Sequence, residues 1–331
     1  MTEKSVLDAP VPAHWGLWQR AKNNLIYVVV RVAYVLIGLV PFPLARPFAV
    51  ALGHLAALVD VGDRRRAEAH LLRAMPETTP AERRSIGRRM FVHFAVSAIE
   101  LIHTDRFLAG THAIPFPESA RDGLTAALAE GHGVVLVGGH IGNWELCGQV
   151  IAQAGFKVTS IAKPVYDPRL TRFVNRLRTS HGHRILWRGD AHVAREILRI
   201  FKDNGILAIL IDQDTKVQGV FAPFFGIPAH TPSAAASFAL RAQAPVFVTF
   251  AHRVGDSHVM HFERVPYSIT GDHDADVLAL TAELNGRLEA AIRLYPEQWV
   301  WLHRRWKKQP VDSGAVALNN QGLTAPRSPA S

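Results

Sequence analysis

The sequence predicts an α/β fold in which a mixed, mostly parallel sheet is flanked by helices and preceded by a hydrophobic, membrane-anchoring helix. Three observations lead there. From about residue 120 short apolar runs alternate with helical patterns, the arrangement that gives strands covered by helices. Near the N-terminus, residues 25–40 are apolar except for Arg31 and stop at Pro41 and Pro43. The chain has 331 residues, 48% of them hydrophobic and 20% charged. That is enough to bury a sizeable core and excludes a largely disordered, collagen-like or coiled-coil protein.

In order along the chain, residues 1–19, with Pro10 and Pro12, read as a flexible lead-in. Residues 20–60 form a hydrophobic, membrane-associated helical segment. Within it, the run 25–40 would reach roughly 24 Å as a helix, short of a ~30 Å hydrocarbon core. Arg20 and Lys22 precede it, and Trp15, Trp18, Tyr27 and Tyr34 are nearby. Such flanks suit a helix lying in the interface or inserted with a tilt; a buried core helix is the other reading. The run 47–59 reads as a packed helix. Residues 61–308 make the main domain. Its basic start, with Arg64, Arg65 and Arg66, is a solvated face that also extends a surface attractive to anionic headgroups. Thr79 and Pro80 mark a helix start, and Phe91, Phe94, Ala95, Ala98 and Ile99 keep helical spacing toward the interior. Strands are expected at 134–137, 158–162, 184–187, 206–211 and 246–251, with a sheet edge at 259–265. Helices are expected at 144–154, 168–180, 191–203, 232–242 and 276–294. Residues 309–331, rich in Ala, Ser, Gly and Pro, read as a disordered tail.

Lys and Arg number 37 against 28 Asp and Glu, a surplus of +9 that favours a polyanionic partner: nucleic acid, anionic lipid or an acidic carrier protein. The single cysteine, Cys147, excludes an internal disulfide framework and a cysteine-rich zinc site. It points to a reducing compartment, with no cleavable signal peptide at the start. The histidine pairs His181/His183 and His258/His261 lack a companion carboxylate or cysteine set at zinc-like spacing, so no metal is expected. No dinucleotide fingerprint, nucleophile elbow or phosphate-binding P-loop sequence occurs.

The strongest local signal is Gly138-Gly139-His140-Ile141-Gly142-Asn143-Trp144-Glu145, between an apolar strand and a helix. Catalytic groups of α/β sheets gather beyond the carboxyl ends of strands. A histidine there, with a carboxylate five positions on, can form an imidazole–carboxylate pair: Glu145 would fix the tautomer of His140, and His140 would deprotonate a hydroxyl directly. A satisfied turn histidine is the plain alternative. Near the other end, Trp299, Trp301 and Trp306 interleave with Arg304, Arg305, Lys307 and Lys308. This pattern fits nucleic-acid stacking or, equally, buried tryptophans with exposed arginines.

GGHIGNWEL resembles the histidine–acidic signature of the lysophospholipid acyltransferase superfamily, in its lipid A biosynthesis (late, lauroyl/myristoyl-type) acyltransferase branch. Three further blocks agree in order. Asn175-Arg176-Leu177-Arg178 with Gly182 is similar to the second. Ile211-Asp212-Gln213-Asp214, then Val220–Gly226 (VFAPFFG), with Thr231-Pro232, is similar to the third. The fourth is the segment from Pro296 to Lys307. Together they cover residues 20–308.

The resemblance implies a glycerolipid acyltransferase-like fold and transfer of an acyl chain from a thioester to a hydroxyl of a lipid A precursor. No cofactor is implied. His140 would be the general base and Glu145 its partner, with Arg178, Asp212, Asn143 and Thr231 as substrate-binding residues. Arg178 would bind acceptor phosphate or support the oxyanion, and Asp212 would shape the site or hold Arg178; a strand-end structural aspartate is the alternative. Thr231 would meet phosphate at a helix start, unless it is a plain N-cap. Gln213 and Asp214 are weaker candidates. Backbone N–H groups near Gly139–Asn143 would stabilise the tetrahedral oxyanion. The family's second block often has an arginine near Lys163. The partners implied are acyl-acyl carrier protein or acyl-coenzyme A as donor, a glycolipid or phospholipid acceptor and a membrane surface, with no nucleic acid. The place implied is the cytoplasmic face of a bacterial inner membrane. Other acceptors for the same chemistry are a lysophospholipid, an aminolipid such as an ornithine-type lipid, or a phosphoinositide mannoside; a non-catalytic lipid- or nucleic-acid-binding protein is the reading from another class.

Overall fold

The structure is a computed structural model that describes residues 5–109 and 114–310. The tail expected over 309–331 lies outside the described residues from residue 311 onward.

Four helices precede the sheet region: α1 (Leu17–Leu39), α2 (Phe42–Val59), α3 (Val61–Ala74) and α4 (Pro80–Ile102). α1 starts earlier than the apolar run implies, because Asn23 is buried and accepts a hydrogen bond from Gln19, so polar residues continue the helix. At 23 residues it spans roughly 34 Å. Both α1 and α2 are long and apolar enough to cross a membrane. α1 leaves Leu25, Val29, Val32 and Leu36 exposed. α2 is two-faced: Ala45, Ala49, Gly53 and Ala57 are buried, whereas Leu44, Phe48, Leu52 and Leu55 are exposed. A Cβ on Gly53 would lie 2.5 Å from the Val92 Cα, which shows how closely α2 lies on α4. The helix expected at Thr79 is confirmed by a capping box, Thr79 with Glu82.

Residues 5–16, expected to be a loose lead-in, are held down. Asp190 accepts hydrogen bonds from the Val6 N–H and the Ser5 hydroxyl, and the Arg172 guanidinium donates to the carbonyls of Leu7 and Ala9.

After two short helices, α5 (Thr104–Leu108) and α6 (Glu118–Ala129), strand and helix alternate: β1 (Val134–Gly138), α7 (Trp144–Gln153), β2 (Val158–Ala162), α8 (Pro168–Thr179), β3 (Arg184–Trp187), α9 (Val193–Lys202) and β4 (Ile206–Leu210). The hairpin β5 (Gly219–Phe224) and β6 (Ile227–Pro232) follows, then α10 (Ala234–Ala242), β7 (Val246–Val254), β8 (Ser257–Val265) and α11 (His273–Leu294). The six-stranded sheet runs β3-β2-β4-β1-β7-β8; every neighbour pair is parallel except the antiparallel edge β7/β8.

β1 is buried along its whole length, as a central strand covered on both faces must be. Its side chains alternate: Val134 and Leu136 join one core with α6 and α7, and Val135 and Val137 join the other with α10 and α11. The tryptophans near the C-terminus follow the plain reading. Trp299, Trp301 and Trp306 are buried. Arg305, however, is buried with them, its guanidinium donating to the His230 carbonyl and the Thr231 hydroxyl. Burial lowers its pKa to about 10, against the opposing charges of Asp212 and Asp214.

Candidate active site

β1 and β4 are neighbours in register, Gly138 opposite Leu210, so the residues just past their carboxyl ends meet. The loop after β1 carries His140 and the loop after β4 carries Asp212. The imidazole Nδ1 lies 2.7 Å from Asp212 Oδ1, and the His140 backbone N–H donates to Oδ2 at 2.6 Å. Gly139 fits where a Cβ would sit 3.2 Å from that carboxylate. The indole N–H of Trp299 also donates to Oδ2. Burial would raise the Asp212 pKa, but the His140 charge and these hydrogen bonds outweigh it and hold it at about 2. Asp212 is therefore ionised at neutral pH, and an ionised carboxylate only accepts, so His140 carries its proton on Nδ1. Among the described residues no group hydrogen-bonds His140 Nε2.

The expected pairing of His140 with Glu145, and of Asp212 with Arg178, is exchanged in the structure. Glu145 sits in the first turn of α7 and both its oxygens accept from the Arg178 guanidinium on α8, while His140 is left to Asp212; Arg178 Nε lies 2.7 Å from Oε2, and the second contact joins Arg178 Nη2 to Oε1. The physical reason is reach: a residue one helical turn into α7 faces α8, whereas the strand neighbour β4 delivers Asp212 to the imidazole.

Two further residues expected to bind substrate are engaged inside the protein. Asn143 is buried and caps α7, its side-chain oxygen accepting from Leu146 N–H and its amide donating to Glu100. Thr231 is fully buried; its hydroxyl donates to the Ala229 carbonyl and accepts from Asn285 and Arg305, and α10 begins only at Ala234. The backbone amides expected to form an oxyanion hole are mostly committed: His140 to Asp212, Gly142 to the Gln298 carbonyl and Asn143 to the Ala251 carbonyl. Asp214 is paired with His230 and Lys308. Gln213 hydrogen-bonds His303, which lies beside His140 with its pKa lowered by burial and then by the His140 charge.

His140, Glu145 and Arg178 open onto one cavity of about 970 Å³. Leu136, Ile151, Ile185, Ile197, Ile209 and Phe238 supply apolar wall, and Lys163, Arg188 and Arg241 add cationic groups. Its size and walls suit a long apolar chain bearing an anionic or polar end. His183, which the sequence offers only as half of a rejected metal-ligand pair, lines this cavity. Its ring packs against Gly148, where a Cβ would fall 2.4 Å from Cε1, and Nε2 meets the Ser160 hydroxyl at 2.8 Å. Burial lowers its pKa to about 4.

A family model described as bacterial lipid A biosynthesis acyltransferase matches residues 19–308. The chain is similar to the phosphatidylinositol mannoside acyltransferase of Mycolicibacterium smegmatis, 29% identical over 187 residues covering 56% of this chain and 60% of that protein. It is similar to the lipid A biosynthesis palmitoleoyltransferase of Escherichia coli, 26% identical over 206 residues covering 61% and 65%. With the lipid A biosynthesis lauroyltransferase of Escherichia coli the match is 24% over 309 residues, covering 90% and 94%. The chain thus spans 60% of the first of these relatives and nearly all of the last.

Proposed function

The chain belongs to the bacterial lipid A biosynthesis acyltransferase family, and from that premise we propose that it transfers a fatty acyl chain from an acyl thioester to a hydroxyl of a phosphoglycolipid, a lipid A precursor. The observation that carries this reading is the His140–Asp212 pair, whose imidazole lines a cavity of about 970 Å³ with largely apolar walls.

His140 Nε2 takes the proton of the acceptor hydroxyl, and the alkoxide oxygen attacks the thioester carbonyl. Asp212 holds the Nδ1 tautomer and offsets the imidazolium charge. The tetrahedral oxyanion collapses by breaking the C–S bond, and the departing thiolate takes the proton back from His140. Asn143 caps α7 through Leu146; the uncapped first-turn amides of Trp144 and Glu145, with Arg178, are the donors assigned to the oxyanion. In this reading Glu145 holds Arg178 in place. The donor is acyl-acyl carrier protein or acyl-coenzyme A, and Lys163, Arg188 and Arg241 suit its phosphate or that of the acceptor. The exposed apolar faces of α1 and α2 hold the protein at a membrane, with the site at its cytoplasmic face.

A second acceptor, a phosphoinositide mannoside, is favoured by the mycobacterial relatives. Purified protein incubated with acyl-acyl carrier protein and each acceptor, followed by lipid mass spectrometry, tests both. A gain of one acyl chain on the lipid A precursor, lost in His140→Ala, is the expected result. A gain only on the mannoside moves the acceptor, and no gain on either with either donor removes the reading.

A further inference from the structure

The turn that carries His140 rests on a buried group of ionisable side chains that the proposed chemistry leaves unused. Arg253, on β7, donates from Nε and Nη2 to the two oxygens of Glu100 at 2.8 and 2.6 Å, and from Nη2 to the Ser97 hydroxyl. Its Nη1 lies 2.6 Å from His93 Nδ1. A guanidinium has no acceptor, so His93 Nδ1 must accept, and the imidazole proton is on Nε2. That N–H reaches the Gly142 carbonyl at 3.0 Å. The next residue, Asn143, donates its side-chain amide to Glu100 at 2.9 Å. Two consecutive residues of the turn are thus tied to one buried cluster.

The turn cannot ease away from these ties. Gly142 has φ +61°, and a Cβ there would lie 1.8 Å from the Ala251 carbonyl oxygen, so the backbone is pressed against β7. Burial, reinforced by the Arg253 charge, lowers the His93 pKa to about 3, which keeps the ring neutral and its tautomer single. Replacing a buried ion pair by apolar packing of similar volume is often neutral or stabilising, so stability alone does not account for this cluster.

We infer that His93, oriented by Arg253 and Glu100, is a positioning residue for His140: it fixes the Gly142 carbonyl, and through it the turn that aims the imidazole. The inference rests on the acyl-transfer reading for its effect on rate, and on geometry alone for its effect on His140.

Three substitutions separate the hydrogen bonds from the volume. His93→Phe keeps a ring and loses both bonds. His93→Asn keeps an acceptor for Arg253 and falls short of Gly142. His93→Gln can accept from Arg253 and still donate to the Gly142 carbonyl. Each full-length variant is assayed for kcat and for KM of the acyl thioester, with the unfolding midpoint alongside. The rate at which diethyl pyrocarbonate modifies His140, located by peptide mass mapping, reads the imidazole without any substrate. The expected result is a fall in kcat of about 10²-fold in the Asn and Phe variants at unchanged KM, faster modification of His140, and recovery of both readouts in Gln. Should the Phe variant not fold, Asn, which leaves Arg253 partnered, carries the comparison with Gln. Wild-type kcat and modification rate in the Asn variant overturn the inference, as does a Gln variant as impaired as Asn. If the wild type transfers no acyl chain, the modification rates still decide the positioning role, so the two readings fail separately.

Discussion

Trp299 donates its indole N–H to Asp212 Oδ2 at 2.7 Å, so a residue near the C-terminus orients the carboxylate that receives His140. Asp212 then has three donors: that indole, the His140 ring and the His140 backbone. Trp299→Phe keeps the aromatic packing and removes one hydrogen bond to a buried charge, a loss of about 1.5–3 kcal/mol. The expected outcome is a lower unfolding midpoint and a reduced kcat at unchanged KM. An unchanged midpoint and kcat would mean that the strand end alone sets the carboxylate.

The two carboxylates of the site separate in mutagenesis. In Asp212→Asn the amide must turn an N–H toward the Trp299 or His140 donors, so the imidazole loses its tautomer control. A fall in kcat of roughly 10²–10⁴-fold is expected, the range for a general base put out of action. Glu145→Gln keeps an oxygen for Arg178 and leaves the His140–Asp212 bond intact, so its loss should be smaller. Measured kcat values that fall in the reverse order would return Glu145 to the role of direct partner.

Much of the fold was legible because strands and helices here obey their periods. β2 and β3 fall where the apolar runs place them, and Thr79 starts α4 as its hydroxyl and Pro80 require. The β5/β6 hairpin was read only as a motif. Its two turn residues, Phe225 and Gly226, both have positive φ, and a phenylalanine is not a residue that announces such a turn. The His140 turn was legible as a site, but its partner was not. Glu145 is near in sequence, whereas Asp212 is brought in by the pairing of β1 with β4, which a linear pattern does not specify. The signal for the cluster beneath the turn was present and unused: the buried stripe of α4 runs Ile86, Met90, His93, Val96, Glu100, so two ionisable residues occupy core-facing positions.

The buried histidines make stability sensitive to mild acid. Burial lowers the His93 pKa to about 3 and the His183 pKa to about 4, both below the 6.5 of an exposed histidine. Between those values and 6.5 the unfolded chain binds protons that the folded chain refuses. Their stabilising contribution is therefore complete above pH 6.5 and is lost as pH falls, by about 1.4 kcal/mol per pH unit for each histidine. Asp212, held at about 2, adds its own loss only as pH falls below the ordinary aspartate value of 3.8. Unfolding midpoints measured from pH 7.5 to about 4.5 should fall steeply in the wild type and less steeply in His93→Gln, which has no titrating group at that position. Parallel slopes would show that His93 is not a buried neutral ring.

The exposed faces of α1 and α2 predict how the protein partitions. Leu25, Val29, Val32 and Leu36 on α1 and Leu44, Phe48, Leu52 and Leu55 on α2 are exposed to the surroundings of the protein. Covering a leucine, valine or phenylalanine side chain with hydrocarbon is worth about 1.5–3 kcal/mol. Deleting α1 is a poor test, because Arg169 on α8 donates to Asn24 and stacks on Tyr27, and Tyr34 packs edge-on against Phe173, so deletion also disturbs the helix that carries Arg178. Val29→Ser, Val32→Ser and Leu36→Ser together leave those contacts alone. In flotation with vesicles of mixed zwitterionic and anionic lipid, the wild type should rise with the vesicles and the triple variant should shift toward the lipid-free fraction. If the triple variant floats as the wild type does, the α2 face and the basic surface of α3 hold the protein, and floating should then fall when salt is raised or when Phe48 and Leu52 are also changed to serine.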